Sequence, residues 1–319
     1  MKHSHSLSML FISGTMMLAA CNPPSAAHDR EVIRIGHLPI THAAPLYFTK
    51  EYEDELLPGY ELELVRFSSW VELMDALNTG RIDGASVLFE LGMKAKERGI
   101  DISAVALGHR EGNAIVAGHD IDSASDLEGE TVAVPHTLSA HNLLLDEMLR
   151  RAGLDYDSVN MVEMPPPEMP AALAEDRISS YIVAEPFGAL GVTLDTGHVL
   201  HQSNEFCPNN CLCCALVLRD DFMEASPELA DQFIQGYLEA GQIADAGDAE
   251  ALEVHKNYLT VDEDALDLSL GWIEYGDLEI REDEYSFLQE RLVDMGLSDD
   301  PPDYDDFILT DYFDEEEES

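Results

Sequence analysis

The sequence predicts an α/β protein with two lobes, each a mostly parallel sheet flanked by helices. First, strand-like and helix-like runs alternate through most of the chain, which is typical of this class. Second, residues 159–190 contain a complete strand, turn, helix and strand. Third, the chain is long enough for two domains of about 100–150 residues each. The last third contains only helix-like runs after one strand, which indicates a helical C-terminal extension.

The N-terminus is typical of an export signal. An apolar run over residues 7–20 follows Lys2 and is too short to span a bilayer permanently. We therefore interpret residues 1–20 as a signal peptide. Leu18-Ala19-Ala20-Cys21 resembles a bacterial lipobox, which predicts lipidation of Cys21, a tether over residues 21–30 and an extracytoplasmic, membrane-anchored protein. An ordinary secretory signal is the alternative.

The charge of the chain excludes some classes of partner. The sequence has 64 acidic and 17 basic residues, a formal net charge of −47. Such a field opposes binding to nucleic acid or to an anionic membrane surface. The acidic excess extends through the whole chain, so we interpret it as adaptation to a salty or alkaline medium, in which salt screens the repulsion.

The first lobe is predicted from residue 31 onward. Polar loops follow its strands, and a strand that ends in a polar loop before a helix is a common ligand-binding position. Thr41 and His42, after the first strand, are therefore candidate ligand contacts, although they also suit an ordinary loop. Ser69 is placed to cap the second helix. The predicted strands are 32–36, 60–67, 83–87, 102–107 and 113–117, and the predicted helices are 46–57, 70–79 and 88–98.

The second lobe contains a helix whose start faces the predicted cleft. Ser139 can cap this helix, and the free N–H groups of its first turn, next to His141, suit an anion or a polar carbonyl. Glu185 follows a predicted strand and is a further candidate contact. The predicted strands are 131–135, 159–164, 177–184 and 197–202, and the predicted helices are 143–152 and 171–175.

The chain then returns to the first lobe through a strand at 215–219. Two crossings, near 117–122 and 214–218, form a hinge that allows the lobes to close on a ligand. Lobe 1 is thus 31–118 with 215–298, lobe 2 is 119–214, and 299–319 is an acidic tail. We expect the apolar residues from Phe307 to Phe313 to dock on the body and residues 314–319 to be disordered. The predicted helices of lobe 1 are 227–244, 249–259, 264–273 and 283–295.

Four cysteines lie within eight residues: Cys207, Cys211, Cys213 and Cys214. Adjacent residues on a strand point to opposite faces, so Cys213 could reach the cleft while its neighbour packs in the core. A disulfide between Cys207 and Cys211 suits an oxidising compartment. Thiolates could instead hold copper, zinc or iron, but the spacing is not a standard C-x2-C pair, and we favour a structural or disulfide role.

Several segments carry a family resemblance. MPPPEMPAAL followed by YIVAEPF, together with THAAPL, FSSWVELMDAL, GNAIV and SAHN, resembles the ABC-importer binding proteins for nitrate, bicarbonate, sulfonates such as taurine, and thiamine pyrimidine precursors. The resemblance covers nearly the whole mature chain and implies the type II periplasmic-binding-protein fold. It implies that Trp70 is a wall of the cleft and that Asn113 and His141 contact the ligand.

One departure concerns the ligand. Nitrate and bicarbonate members place a lysine near the position of Cys213, whereas this chain has no lysine between Lys96 and Lys256. These two ligands are therefore less favoured. The cysteine run has a looser likeness to the fungal enzyme that makes the thiamine pyrimidine.

The function expected from the resemblance is capture of a small polar solute and its delivery to an ABC permease with its ATPase, by a monomer without a cofactor. The alternative is a thiol- or metal-dependent enzyme, or a metal-binding protein, on the same fold. No nucleophile with an adjacent base is evident in the sequence, which argues against an enzyme. An orphan sensor without a permease would have the same sequence features.

Overall fold

The computed structural model describes residues 30–206 and 212–313. Within these residues the strands are β1 (Glu31–His37), β2 (Tyr60–Arg66), β3 (Gly84–Leu88), β4 (Ile102–Leu107), β5 (Arg110–Glu111), β6 (Asn113–Ala117), β7 (Thr131–Val134), β8 (Asn160–Glu163), β9 (Ser180–Ala184), β10 (His198–Gln202), β11 (Cys214–Arg219) and β12 (Ile273–Glu274). The α-helices are α1 (Ala44–Glu51), α2 (Glu53–Leu56), α3 (Trp70–Asn78), α4 (Phe89–Glu97), α5 (Ala140–Arg151), α6 (Met169–Ala174), α7 (Phe187–Thr193), α8 (Asp220–Ala225), α9 (Pro227–Asp245), α10 (Ala249–Tyr258), α11 (Glu263–Leu270), α12 (Glu282–Asp294) and α13 (Tyr304–Phe307).

The first lobe is organised around a sheet with the order β2-β1-β3-β11-β4. β1 pairs in parallel with β2 and β3, whereas β11 pairs antiparallel with β3 and β4. Four of these strands therefore share one direction, and β11 runs against them. The residues of β3 and β4 are all buried, as expected for strands that are covered on both faces.

The second lobe has a sheet with the order β10-β6-β9-β7-β8. β7 pairs in parallel with β8 and β9, and β6 pairs antiparallel with β9 and β10. Again four strands share one direction and one opposes them. The predicted two-lobed α/β architecture with mostly parallel sheets is confirmed.

The first crossing between the sheets differs from the prediction. Residues 113–117 were placed in lobe 1, but β6 pairs with β9 and β10 of the second sheet. The chain crosses after β4 and before β6, so the crossing is about ten residues earlier in the structure. A short buried strand shows its burial in its sequence but not which sheet it joins, and this explains the difference.

The helices α5 and α7 are among the elements that differ from the predictions. α5 begins at Ala140, three residues before its predicted start, so His141 lies in its first turn. α7 was not predicted because Pro186 and Gly188 suggested a break, although proline is well tolerated at a helix start. Glycine is needed in α7 for close packing, since a Cβ at Gly191 would lie 2.1 Å from the Tyr181 hydroxyl.

The C-terminal segment packs on the first lobe. Phe307 is 1% exposed, and Ile308 forms a bridge with Ala104 of β4, so the docking predicted for these two residues is confirmed. The predicted signal peptide, nearly all of the tether with Cys21, the pair Cys207 and Cys211, and residues 314–319 lie outside the described residues. Among the described helices, none combines the length and hydropathy needed to cross a bilayer.

Candidate metal centre

Four metal-binding side chains meet at one edge of the first sheet. His42 lies in a 3-10 turn after β1, His109 follows β4, and Cys213 and Cys214 stand at the start of β11. Because β11 runs against β3 and β4, its first residues meet the carboxyl ends of its neighbours. Gly108 permits the close approach, since a Cβ there would lie 2.5 Å from the His42 carbonyl oxygen.

The donor atoms of these four residues form a compact set. The two sulfurs are 3.9 Å apart, and His42 Nδ1 lies 3.7 Å from Cys213 Sγ and 3.6 Å from Cys214 Sγ. The His42 and His109 rings have centroids 3.6 Å apart. One donor atom from each residue lies within 4.8 Å of all the others, and all four residues are buried.

A neighbouring carbonyl determines the tautomer of His42. Its Nε2 lies 2.8 Å from the Gly112 carbonyl oxygen, and since that oxygen only accepts, Nε2 carries the hydrogen. In the neutral ring Nδ1 is then the nitrogen with the free lone pair, and it faces the two sulfurs. Histidines that bind metals are commonly oriented by such a second hydrogen bond.

The other histidines at the cluster are held neutral. Burial lowers the pKa of His109 to about 4, with a further contribution from neighbouring His42. Burial likewise lowers the pKa of His141 to about 4. The His141 ring has no hydrogen-bond partner among the described residues. Both therefore present neutral imidazoles near pH 7, which is the form that binds metals.

The two thiols of the cluster differ in their pKa. Burial raises the pKa of the Cys213 thiol, but the hydrogen bond with Cys214 and nearby His141 and His42 outweigh it and leave this pKa well below the usual range. Burial and the neighbouring Cys213 raise the pKa of Cys214 well above its usual range. The Cys213 thiol is thus the more acidic of the pair and the first to lose its proton.

A buried carboxyl group lies behind the thiols. Glu90, in the first turn of α4, is 0% exposed, and neither of its carboxyl oxygens has a hydrogen-bond partner among the described residues. Burial raises its pKa well above the usual range, and Cys213 adds to this shift. Glu90 therefore carries its proton and adds no charge to the cluster in this state.

The structure brings together some of the predicted contacts. His42 and Cys213 belong to the cluster, and Asn113 Oδ1 lies 3.5 Å from Cys213 Sγ. His141 is close enough for the charge on Cys213 to affect its pKa. Sequence reasoning missed His109 and Glu90, and it considered Cys214 only in the metal alternative. The position of His109 directly after β4 was a usable signal, because His42 likewise follows a strand, β1, of the same sheet.

The remaining predicted contacts have other partners. The Thr41 hydroxyl donates to the Glu185 carbonyl oxygen at 2.9 Å, and the Ser69 hydroxyl caps α3 by accepting from the Glu72 N–H at 3.3 Å. Trp70 is 3% exposed in the first-lobe core, with no partner for Nε1 among the described residues. The Glu185 side chain accepts from the Ala189 N–H at 2.9 Å.

A cavity separate from the buried cluster lies between the two lobes. It has a volume of about 390 Å³ and is lined by both lobes. Arg66, Phe67 and Ile40 come from lobe 1, and Pro166 and Phe187 from lobe 2. Its only cationic lining residue is Arg66 among those described, so its chemistry differs from that of the buried cluster.

The two-lobed architecture defines the class of periplasmic binding proteins. Residues 26–257 match the NMT1-like family, and the chain belongs to that family. The solved ligand-binding component of an ABC-type import system from Staphylococcus aureus, with zinc bound, is 40% identical, with 88% of this chain and 96% of that chain covered and a TM-score of 0.83. The nitrate-binding protein NrtA of Synechocystis is 18% identical, with coverage of 85% and 83% and a TM-score of 0.74, and therefore shows the fold alone.

Curated relatives are more distant. The nitrate import ATP-binding protein NrtC of Synechocystis is 27% identical over 233 residues, which is 66% of this chain and 34% of that protein. This chain thus spans about a third of the length of the first curated relatives it matches. A putative aliphatic sulfonates-binding protein of Escherichia coli is 25% identical over 234 residues, 70% of this chain and 68% of that protein. The predicted family membership is confirmed.

The buried Glu185 gives a prediction for the pH dependence of stability. Burial raises its pKa to about 8, from a usual value of 4.5. The folded state therefore keeps a proton that the unfolded state loses, so this stabilisation is complete below about pH 4.5 and is lost as the pH rises through about 8. We expect Glu185→Gln to remove a slope of up to about 1.4 kcal/mol per pH unit between these values.

Urea unfolding of the metal-free protein across this pH range measures the effect. Glu90 contributes a slope of the same sign, so the variant should have a shallower slope rather than none. Thr193→Ala, an exposed change on the adjacent helix α7, is the control. Equal slopes for Glu185→Gln and the wild type would show that Glu185 is ionised in the folded protein.

Proposed function

We propose that this protein is the extracytoplasmic ligand-binding component of an ABC importer and that its ligand is a soft divalent metal ion of the zinc type. The observation that carries the metal assignment is the set of two imidazole and two sulfur donors, His42, His109, Cys213 and Cys214, buried within 4.8 Å of one another. An N₂S₂ donor set is typical of zinc. The ion is the transported ligand, and the two lobes enclose it.

The donor spacing supports a tetrahedral ion. With Zn–S near 2.3 Å and Zn–N near 2.0 Å, a regular tetrahedron has edges of about 3.8 Å between sulfurs and about 3.5 Å between sulfur and nitrogen. The corresponding distances here are 3.9 Å between the sulfurs and 3.6 and 3.7 Å between sulfur and His42 Nδ1. Little movement of these three donors is needed to accept the ion.

The charge of the cluster supports a cation over an anion. Metal binding releases thiol protons to the solvent, so Cys213 and Cys214 would each supply one negative charge to the ion. The nearby Arg110 does not offset this charge, because it bonds Glu284 Oε1 at 2.9 Å and two backbone carbonyls. A nitrate or sulfonate in the same position would face two thiols with no cationic partner in the cluster.

The relatives support the transport role. The S. aureus relative is described as an import component with zinc bound, and the curated relatives are named for import or binding of nitrate and sulfonates. Relatives of this kind support a role in binding rather than in catalysis for this protein. Delivery to a permease and ATPase, tethering through Cys21 and a monomeric state complete the proposal.

A ligand screen tests the proposal. The exported chain is stripped with a chelator and its melting temperature is followed in high salt with zinc, copper(I), iron(II), nitrate, taurine and a pyrimidine. A metal at a thousand times its Kd stabilises the folded state by about 4 kcal/mol. We expect a shift with zinc at one ion per chain. A shift with nitrate or taurine and none with metals would instead assign the cavity between the lobes, near Arg66, as the binding site.

A further inference from the structure

A cavity of about 440 Å³ lies in the helical C-terminal extension, between the ends of α9 and α11 and one face of α10. It shares no lining residue with the metal cluster or with the cavity between the lobes. Binding sites for organic ligands commonly have volumes of about 300–1,000 Å³. The cavity is therefore large enough for a small organic molecule.

The rim of this cavity is acidic. Asp245, Asp248 and Asp267 are exposed lining residues, and none of the described residues that line the cavity is a lysine or an arginine. Asp248 also caps α10 by accepting from the N–H groups of Glu250 and Ala251 at 3.0 and 2.9 Å. Because acidic residues are common throughout this chain, the rim by itself indicates only the sign of charge that the cavity would accept.

The floor of the cavity contains a buried histidine with an unpaired nitrogen. His255 of α10 is 1% exposed and lines the cavity, and its Nδ1 has no hydrogen-bond partner among the described residues. The nearby Tyr275 hydroxyl already donates to the Thr41 carbonyl oxygen at 3.0 Å. An unpaired buried polar group costs about 1–3 kcal/mol, and a ligand that bonds the imidazole would offset this cost.

The His255 ring offers a lone pair rather than a charge. Burial lowers its pKa to about 4, so the imidazole is neutral near pH 7 and one of its nitrogens is an acceptor. The Phe48 ring packs against it in a T-shaped arrangement, with 5.3 Å between the ring centroids. A ligand group that is positively charged and carries N–H bonds would satisfy both this imidazole and the carboxylates of the rim.

Hydrogen bonds connect the rim of the cavity to its floor. The Tyr275 N–H donates to Asp245 Oδ1 at 2.7 Å. Gly276 leaves room for the other oxygen, since a Cβ there would lie 2.6 Å from Asp245 Oδ2. Ile273, which also lines the cavity, pairs with Glu111 of β5. The Asp245 carboxylate is thus held in position before a ligand binds, which lowers the ordering cost of binding.

We infer that this cavity binds a small organic ammonium ion that carries N–H groups, of the primary alkyl diamine class, with the His255 imidazole and the Asp245 carboxylate as acceptors. A metal ion suits the cavity less, because within the part of the chain that the structure describes only the metal cluster brings three or more metal-binding side chains together. A quaternary ammonium would meet the carboxylates but has no hydrogen to donate to the imidazole. The inference does not depend on the metal assigned to the cluster.

Calorimetric titration of the zinc-free protein with 1,4-diaminobutane tests the site. We expect one diamine per wild-type chain. The Kd should rise at least about tenfold in His255→Phe, which keeps the ring packing and removes the acceptor. It should rise about threefold to fivefold in Asp245→Asn, which keeps an oxygen for the Tyr275 N–H and removes the charge. Glu239→Gln, the same loss of charge at an exposed position of α9, is the control and should leave the Kd unchanged.

Three further cations separate the inference from its alternatives. Butylammonium and tetramethylammonium carry the same charge, but only butylammonium donates N–H bonds, so it should bind at least about tenfold more tightly. Equal binding of these two cations, or a diamine Kd that His255→Phe and Asp245→Asn leave unchanged, would reduce the binding to the general acidic field and overturn the inference. A wild type that binds calcium and no diamine would also overturn it. None of these outcomes alters the zinc result that tests the proposed function.

Discussion

Cys213→Ala is expected to weaken zinc binding by about 100-fold or more. Structural zinc sites with four ligands have apparent binding free energies of about 10–16 kcal/mol, so each ligand corresponds to about 3 kcal/mol. Cys213 should contribute at least this share, because it is the more acidic thiol of the pair and lies 3.7 Å from His42 Nδ1. Competition with a coloured chelator measures the zinc Kd of the variant against that of the wild type.

Val217→Ala is the matched control for this prediction. Val217 is a buried residue of the same strand β11, and its truncation costs core packing without removing a metal donor. Both variants should therefore unfold at lower urea concentration, whereas only Cys213→Ala should lose zinc. Equal zinc affinity in Cys213→Ala and the wild type would place the ion elsewhere in the chain.

The fold was largely predictable because its signals are local. The apolar runs that became β1, β2, β3 and β4, with helix-like runs between them, fix the α/β class without knowledge of distant contacts. The sheet that receives β6 was not predictable in the same way. Residues 114–117 are apolar throughout, and such a run suits the centre of either sheet, so its partners depend on tertiary packing.

Single residues of the candidate site were predictable from the sequence, but the set of residues that form the site together was not. His42 and Cys213 stood out through their positions in a loop and in a cysteine-rich run, while His141 stood out through its helix start. These residues come together only because of the sheet order, in which β11 lies between β3 and β4. That order brings His109 to residues more than 100 positions away, and no local pattern encodes it. For this reason a structural role of the cysteines was favoured over a metal role.

In this acidic chain, Arg110 forms a buried ion pair. The Arg110 side chain is 3% exposed and is paired with a carboxylate that is 4% exposed, on Glu284. Because other ion pairs of the described residues lie nearer the surface, salt screens them more strongly. The Arg110 pair should keep its contribution in a salty medium.

Arg110→Met is expected to lower the free energy of unfolding by about 3 kcal/mol, since it leaves the Glu284 carboxylate with only the more exposed Arg281, 3.7 Å away. Arg110 donates to Glu284 Oε1 at 2.9 Å and to the carbonyl oxygens of Asp277 and Glu279 at 2.9 and 2.7 Å. It thereby ties the segment that carries His109 to the C-terminal region. Urea unfolding of the metal-free protein in high salt measures the loss.

The double variant Arg110→Met with Glu284→Leu separates the charge from the packing. Replacing both members of a buried pair by apolar side chains is often neutral or stabilising, whereas removing one is not. The double variant should therefore recover most of the stability. Zinc affinity should fall in both variants, because His109 loses the anchor of the adjacent residue. A double variant with full stability and full zinc affinity would mean that the backbone pairing of β5 with β12 positions His109 without help from Arg110.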